Sequence, residues 1–266
     1  MLNDVPGGSA AALGVHGYGE GHPGSGTFLR FYEAVVGFLE QHGIGPTYVA
    51  AEGESYSGKF VRFGERAHER LLRTRMAHVN VLSVAANSPD SEEPSYDSFA
   101  SVSLSYIPAS GESVLCSVIN EGLVGLFSNA YYELLTAVVG LCDWDFGYGF
   151  ASPVAKHPEL HILGLDDGQL SPEEQASLSA WYAATRQMRL NHLRDVYPYT
   201  IVRGKFLDSR LRDGSVLRNL MEREPGTSLT QLTDNGLYLW KVPEVALVRL
   251  RRELRVRGAL IPLDQP

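Results

Sequence analysis

Three groups of residues have types and spacing that could do chemistry. Gly19-Glu20-Gly21-His22-Pro23-Gly24 satisfies G-x-G-x-x-G letter by letter. A helix is expected after it, and Tyr48 to Ala51 could form a strand ending at Glu52, where a dinucleotide fold would hold its ribose-binding acid. The imitation is incomplete. The strand before the glycines reads as short, Pro23 removes one N–H from any phosphate cradle, and no repeating β-α-β series follows. Gly14 to Gly26 therefore reads as a glycine-rich entry loop.

The second group is Asp143 and Asp145, which on a strand would lie one pleat apart, roughly 7 Å, as an acid/base or metal pair would require. No third ligand or base accompanies them. The third is His157 and His161, four residues apart. Pro158 and the nearby glycine make Lys156 to Gly168 read as a loop, and the glutamate of H-E-x-x-H is missing. Gly53 to Gly58 holds Ser55, Tyr56 and Ser57 but lacks a G-x-S-x-G elbow, and Gly58-Lys59-Phe60 lacks the Ser/Thr of a phosphate loop. No catalytic residue, cofactor site or metal site is assigned.

The elements that would position such residues are clearest between Phe99 and Pro153. Ala100 to Ile107 alternates, with Val102, Leu104 and Tyr106 on one face and Ser101, Ser103 and Ser105 on the other, the period of a half-buried strand. Pro108 to Gly111 supplies a turn, and Val114 to Ile119 a second strand. Ser128 or Asn129 can cap a helix burying Tyr131, Leu134, Leu135, Val138 and Cys142. Asp143 to Phe150 is then expected as a strand with Trp144, Phe146, Tyr148 and Phe150 sharing a face.

Earlier in the chain, a helix with Phe28, Phe31, Tyr32, Val35 and Leu39 on one face should stop at Gly43. Glu65 to Met76 reads as a charged helix whose Arg66, Arg70 and Arg73 pair with Glu65 and Glu69 in solvent. His78 to Ala86 is a strand, and Asn87 to Ser98 an acidic loop with Asp90, Glu92, Glu93 and Asp97. Later, Ser171-Pro172-Glu173-Glu174 starts a helix expected to reach Leu193 and to bury Leu178, Trp181, Tyr182, Thr185 and Met188. Short helical pieces follow at Phe206 to Leu211 and Ser215 to Met221. Ser228 to Leu232 and Leu237 to Lys241 flank an Asn235-Gly236 hairpin turn. Pro243 opens a last helix with Leu247, Leu250 and Leu254 inward and its arginines outward, ended by Gly258.

Bulk properties bound the rest. At 266 residues and 44% apolar content the chain can bury a sizeable core. No apolar run is long enough to span a membrane and no secretion signal is visible at the N-terminus, so a cytoplasmic protein is expected, with Cys116 and Cys142 as buried reduced thiols. The net charge of −8 is uneven: residues 1–175 hold 8 Lys/Arg against 22 Asp/Glu, residues 176–266 hold 15 against 9. An acidic first part disfavours nucleic acid and favours a basic partner.

From Phe99 onward the order of elements resembles the bacterial type VI immunity protein family. The similarity lies in Ser101-Val102-Ser103-Leu104-Ser105, in the helix leading to Trp144-Asp145-Phe146-Gly147-Tyr148-Gly149-Phe150, and in Val196-Tyr197-Pro198-Tyr199-Thr200. It continues through Leu217 to Met221 and Leu229-Thr230-Gln231-Leu232, and so covers the C-terminal two-thirds. The resemblance implies a non-enzymatic protein, found beside secreted-toxin genes, that neutralises a cognate toxin by occluding its active site.

The expectation is thus an α+β fold, an antiparallel or mixed sheet covered by helices, with sub-regions 1–98 and 99–266 in one compact unit. Asp90, Glu92, Glu93 and Asp97 are the candidate partner contacts, the partner being a toxin for which a basic charge is favoured. No nucleic acid, membrane or cofactor is expected, and the oligomeric state is left open. The alternatives are a small-molecule or nucleotide-dependent enzyme using Gly19 to Gly24 with Glu52, and a structural subunit of a secretion or defence assembly.

Overall fold

A computed structural model describes residues 8–19, 21–87, 100–165 and 171–263, with the side chain of Glu173 left out. The fold is α+β, and the chain divides into two compact units. The first takes the described residues up to Trp144 together with Ala151–Glu159, and the second takes Asp145–Phe150 and Leu160 onward. Within each unit neighbouring strands pair antiparallel.

In the first unit, β1 (Ser9–Tyr18) leads into helix α1 (Ser25–Gln41), and β2 (Tyr48–Gly53) is followed by the short β3 (Tyr56–Ser57) and β4 (Val61–Arg62). Helix α2 (Glu65–Arg73), β5 (Val79–Ala86), β6 (Ala100–Ile107), β7 (Glu112–Asn120) and α3 (Asn129–Val139) come next. Its sheet order is β1-β7-β6-β5-β2, with β3 and β4 both on β2. Thus β5 and β6, on either side of position 98, are neighbours within this unit.

Local chemistry explains these elements. The alternation of β6 puts Ala100, Val102 and Leu104 inside, whereas β7 and β1 are buried on nearly every residue and need apolar or small side chains on both faces. Ser128 caps α3 by accepting a hydrogen bond from the Tyr131 N–H, 3.1 Å, and Tyr131 fastens that helix to β1 by donating to the Ala12 carbonyl, 2.8 Å. Cys116 and Cys142 are free thiols, each pushed up to about 12 chiefly by burial.

The expected loop from Gly14 is instead strand as far as Tyr18. Gly17 lies so near the backbone of the Asp143 segment that a Cβ there would stand 2.4 Å from the Asp143 carbonyl oxygen, so this glycine permits contact rather than a turn. Trp144, buried, donates its indole N–H to the Val138 carbonyl at 3.3 Å and stands outside the next strand, which begins at Phe146. It does not share the aromatic face expected of Phe146, Tyr148 and Phe150.

That strand, β8 (Phe146–Pro153), gives its first five residues to the second unit, which also holds α4 (Pro158–Leu163) from Leu160 on, α5 (Pro172–Ala183), α6 (Arg186–Asn191) and β9 (Tyr199–Arg203). Helices α7 (Gly204–Leu207) and α8 (Leu217–Arg223), the hairpin β10 (Ser228–Thr233) and β11 (Leu237–Lys241), and α9 (Glu244–Val256) complete it. The order is β10-β11-β9-β8. Leu193, Val196, Leu217, Met221, Trp240 and Leu250 form part of its core.

The capping box of Ser171 and Glu174 is present, but the expected long helix breaks at Ala184, which is extended, and Thr185 caps α6 instead. Tyr182 is consequently 71% exposed. Pro158, expected in a loop, starts α4, since proline suits a first helical turn. The arginines of the last helix are less solvated than expected: Arg249 pairs with Glu224 and Glu253, and Arg251 with Asp195. Among the described residues no helix is long and apolar enough to cross a membrane.

His161 sits edge-on to Phe150, Tyr148 and Tyr197, with its Nε2 3.1 Å from the Tyr197 hydroxyl. Burial, and then the Arg194 charge, push its pKa down to about 3. The folded state therefore holds His161 neutral while the unfolded chain takes up a proton near pH 6.5, so its contribution is present above pH 6.5 and lost as pH falls towards the folded value. Lowering the pH from 7 to 5 should remove roughly 2 kcal/mol of stability through this residue. Urea unfolding of wild type and His161→Phe at both pH values isolates that difference.

Two glycines give opposite expectations. A Cβ on Gly53 would lie 1.9 Å from the His78 carbonyl oxygen, so Gly53→Ala should destabilise by about 2 kcal/mol or more. Exposed Gly37 in α1 meets nothing within 4 Å, and Gly37→Ala should stabilise by about 1 kcal/mol. Thermal and urea denaturation read both.

Candidate functional site

After β2 the chain doubles back along that strand, pairing Glu52 with Ser57 and Tyr48 with Arg62, before α2 begins. Gly58 makes the reversal at φ 73°, a left-handed value suited to glycine, and its N–H donates to the Ala51 carbonyl at 2.9 Å. The Phe63 N–H closes the return on the Thr47 carbonyl at 2.7 Å. Between this doubled edge and α2 lies a cleft of about 360 Å³. Its floor includes Val49, Ala51 and buried Leu71; its walls carry Tyr56 and four cations, Lys59, Arg62, Arg66 and Arg70.

The charge of the cleft is unbalanced. All four cations are exposed, and none lies within ion-pair distance of a carboxylate among the described residues. The pairs expected between Glu65 or Glu69 and Arg66, Arg70 or Arg73 do not form, and Arg70 lies instead against the ring of Tyr56, its guanidinium carbon 5.6 Å from the centroid. The Tyr56 hydroxyl is in turn hydrogen-bonded to Thr74 Oγ1, and that side chain also bonds the Arg70 carbonyl at 2.9 Å. Tyr56 is thereby held against the end of α2. Beside the cations, Phe60 is 44% and Val61 49% exposed. Arginine, tyrosine and exposed apolar side chains are residue types enriched at protein-binding surfaces.

The other candidate residues are placed as follows. Asp90, Glu92, Glu93 and Asp97 lie outside the described residues, as does Glu20. His22 ties the glycine loop down: its Nδ1 accepts from the Gly24 N–H at 2.9 Å, so its Nε2 carries the proton donated to the Val79 carbonyl at 2.8 Å. Gly24, at φ 84°, immediately precedes α1. The strand–glycine–helix sequence is thus real. A dinucleotide site also needs parallel neighbouring strands at the glycine turn, whereas β1 pairs antiparallel with β7 and β2 stands four places away in the sheet. Glu52 is exposed at the doubled edge.

Asp143 and Asp145 do not form an acid pair on one strand, since the strand starts after both; Asp145 is engaged by Arg203, with Nε to Oδ1 at 2.9 Å. His157 adopts a left-handed conformation, φ 44°, and its Nδ1 is 3.4 Å from Glu159, whereas His161 belongs to α4. No group of three metal-ligating side chains occurs among the described residues. The cationic cleft was the feature that sequence reasoning missed. Its signal was the crowding of six of the eight Lys/Arg of residues 1–175 between positions 59 and 75.

Comparison with solved structures finds a likeness of fold. The chain is similar to the Pseudomonas aeruginosa T6SS protein PA0821, with a TM-score of 0.56 and 12% identity over 88% of this chain. The match covers 66% of that protein's length, just under two thirds. No protein-family model matches the chain, and no curated protein matches it in sequence.

Because the four cations form no ion pair among the described residues, removing them should leave the fold intact. Arg62→Ala and Arg66→Ala should each alter stability by less than about 0.5 kcal/mol, as measured by urea unfolding.

Proposed function

We propose that this chain is an immunity protein that binds a cognate secreted toxin and occludes its active site, acting by association rather than by catalysis. The carrying observation is the cleft beside β2, where four exposed cations with no carboxylate partner among the described residues surround a fixed tyrosine and adjoin exposed Phe60 and Val61. Opposite charge across an interface accelerates encounter, and desolvated aromatic anchors slow dissociation. The likeness to a T6SS protein supports a partner from a type VI secretion system. On this reading the cleft receives an acidic segment of the toxin, and Asp90, Glu92, Glu93 and Asp97 engage basic groups elsewhere on it.

Association with the toxin encoded beside this gene, followed by stopped flow at low and high salt, tests the proposal. Arg62→Glu with Arg66→Glu should slow association about tenfold or more at low salt, with the deficit shrinking as salt screens the charges. Serine at positions 90, 92, 93 and 97 should also slow it in a salt-dependent way. Unchanged association in both sets of variants would remove both surfaces from the interface.

A further inference from the structure

The second unit contains a buried cation that forms no ion pair among the described residues. Arg194 is 5% exposed. Its Nη1 donates to the Tyr148 hydroxyl and, at 2.8 Å, to the His161 carbonyl, while Nη2 has no hydrogen-bond partner among the described residues. The guanidinium lies against two rings, 5.1 Å from the centroid of Tyr148 and 5.6 Å from that of Trp181. A buried arginine ordinarily takes a carboxylate, because isolated charge is costly away from water. Here the two nearby candidates are committed elsewhere. Asp195 accepts from Arg251 Nε at 2.6 Å and from the Val196 N–H at 2.8 Å, and Asp145 accepts from Arg203. Tyr197, stacked on Tyr148 at 4.7 Å, offers no negative charge, since burial raises its phenol pKa far above neutrality.

Arg194 forms part of the wall of a pocket of about 370 Å³ that lies wholly within the second unit. Phe146, Leu190, Ile201 and Phe206 give that pocket apolar surface, and exposed Lys205 adds a second cation that makes no ion pair among the described residues. Volume, apolar lining and a small number of fixed polar groups are the attributes of a small-molecule site. A planar guanidinium locked between rings suits the two oxygens of a carboxylate or phosphate.

We propose that this pocket binds a small organic anion, its carboxylate or phosphate paired with Arg194, its charge drawn in by Lys205, and its aromatic or aliphatic body against Phe146 and Phe206. The site is independent of the toxin-binding cleft, so it can stand or fall without affecting that reading.

The test is calorimetric titration of the full chain with benzoate, phenyl phosphate and inorganic phosphate, each at matched ionic strength against sodium chloride. One-to-one binding of benzoate or phenyl phosphate, at least tenfold tighter than inorganic phosphate, is expected, and the better of the two identifies the anionic group. Lys205→Ala, at an exposed position, should raise the Kd about tenfold, and Leu190→Trp, which fills the pocket, should abolish binding. Arg194→Lys should also lose binding, and circular dichroism would show whether it folds; the other two variants keep the test decisive if it does not. No binding of any probe to the folded wild type, or binding unaltered in Lys205→Ala and Leu190→Trp, would overturn the proposal.

Discussion

The first unit depends on one ladder, the antiparallel pairing of β1 with β7, which runs from Ala10 opposite Asn120 to Tyr18 opposite Glu112. Both strands are buried on nearly every residue, so their backbone polar groups must bond within the sheet, and their sequences are correspondingly apolar or small. Burial on both faces specifies the register strongly, since a slip of one residue would exchange every side chain between faces. Even the polar pair admitted here is internally matched: His16 Nδ1 and Glu112 Oε1 are 2.9 Å apart and both residues are buried. With the ladder fixed, β6, β5 and β2 follow in order, and the far edge of β2 is left to carry the doubled strand and the cationic cleft.

The two units handle charge differently. In the cleft the cations are exposed, at little cost to the fold, and form no ion pair among the described residues. Around Arg194 the charge is buried and held by a phenol, a carbonyl and two rings. Elsewhere in the second unit arginine does take carboxylates, as at Arg251 with Asp195 and Arg257 with Asp213. The contrast sets apart Arg194, which is buried with no ion pair among the described residues.

Features set by neighbours in sequence were legible before the structure. Ser128 at the start of α3, the Ser171 and Glu174 capping box, and the turn ending in Gly236 at φ 82° each rest on contacts a few residues long. The alternation of β6 was equally plain. What could not be read depends on distant segments. Gly17 looks like a loop residue until the Asp143 carbonyl is brought beside it, and Trp144 looks like a strand residue until Val138 claims its indole. The cations of α2 were visible as residues, but the contact of Arg70 with the ring of Tyr56 depends on the return of the chain along β2. Arg194 gave no sequence signal at all, because its burial and its engagement by Tyr148 and the His161 carbonyl arise only on folding.

The central claim, neutralisation of a toxin by association, is tested most directly by native-level affinity purification with quantified stoichiometry, followed by expression of the co-purifying partner with and without this chain. A single one-to-one partner that halts growth when expressed alone and is harmless beside this chain is the expected result. A chain that purifies without such a partner, or a partner whose toxicity is unaffected by it, would contradict the immunity reading.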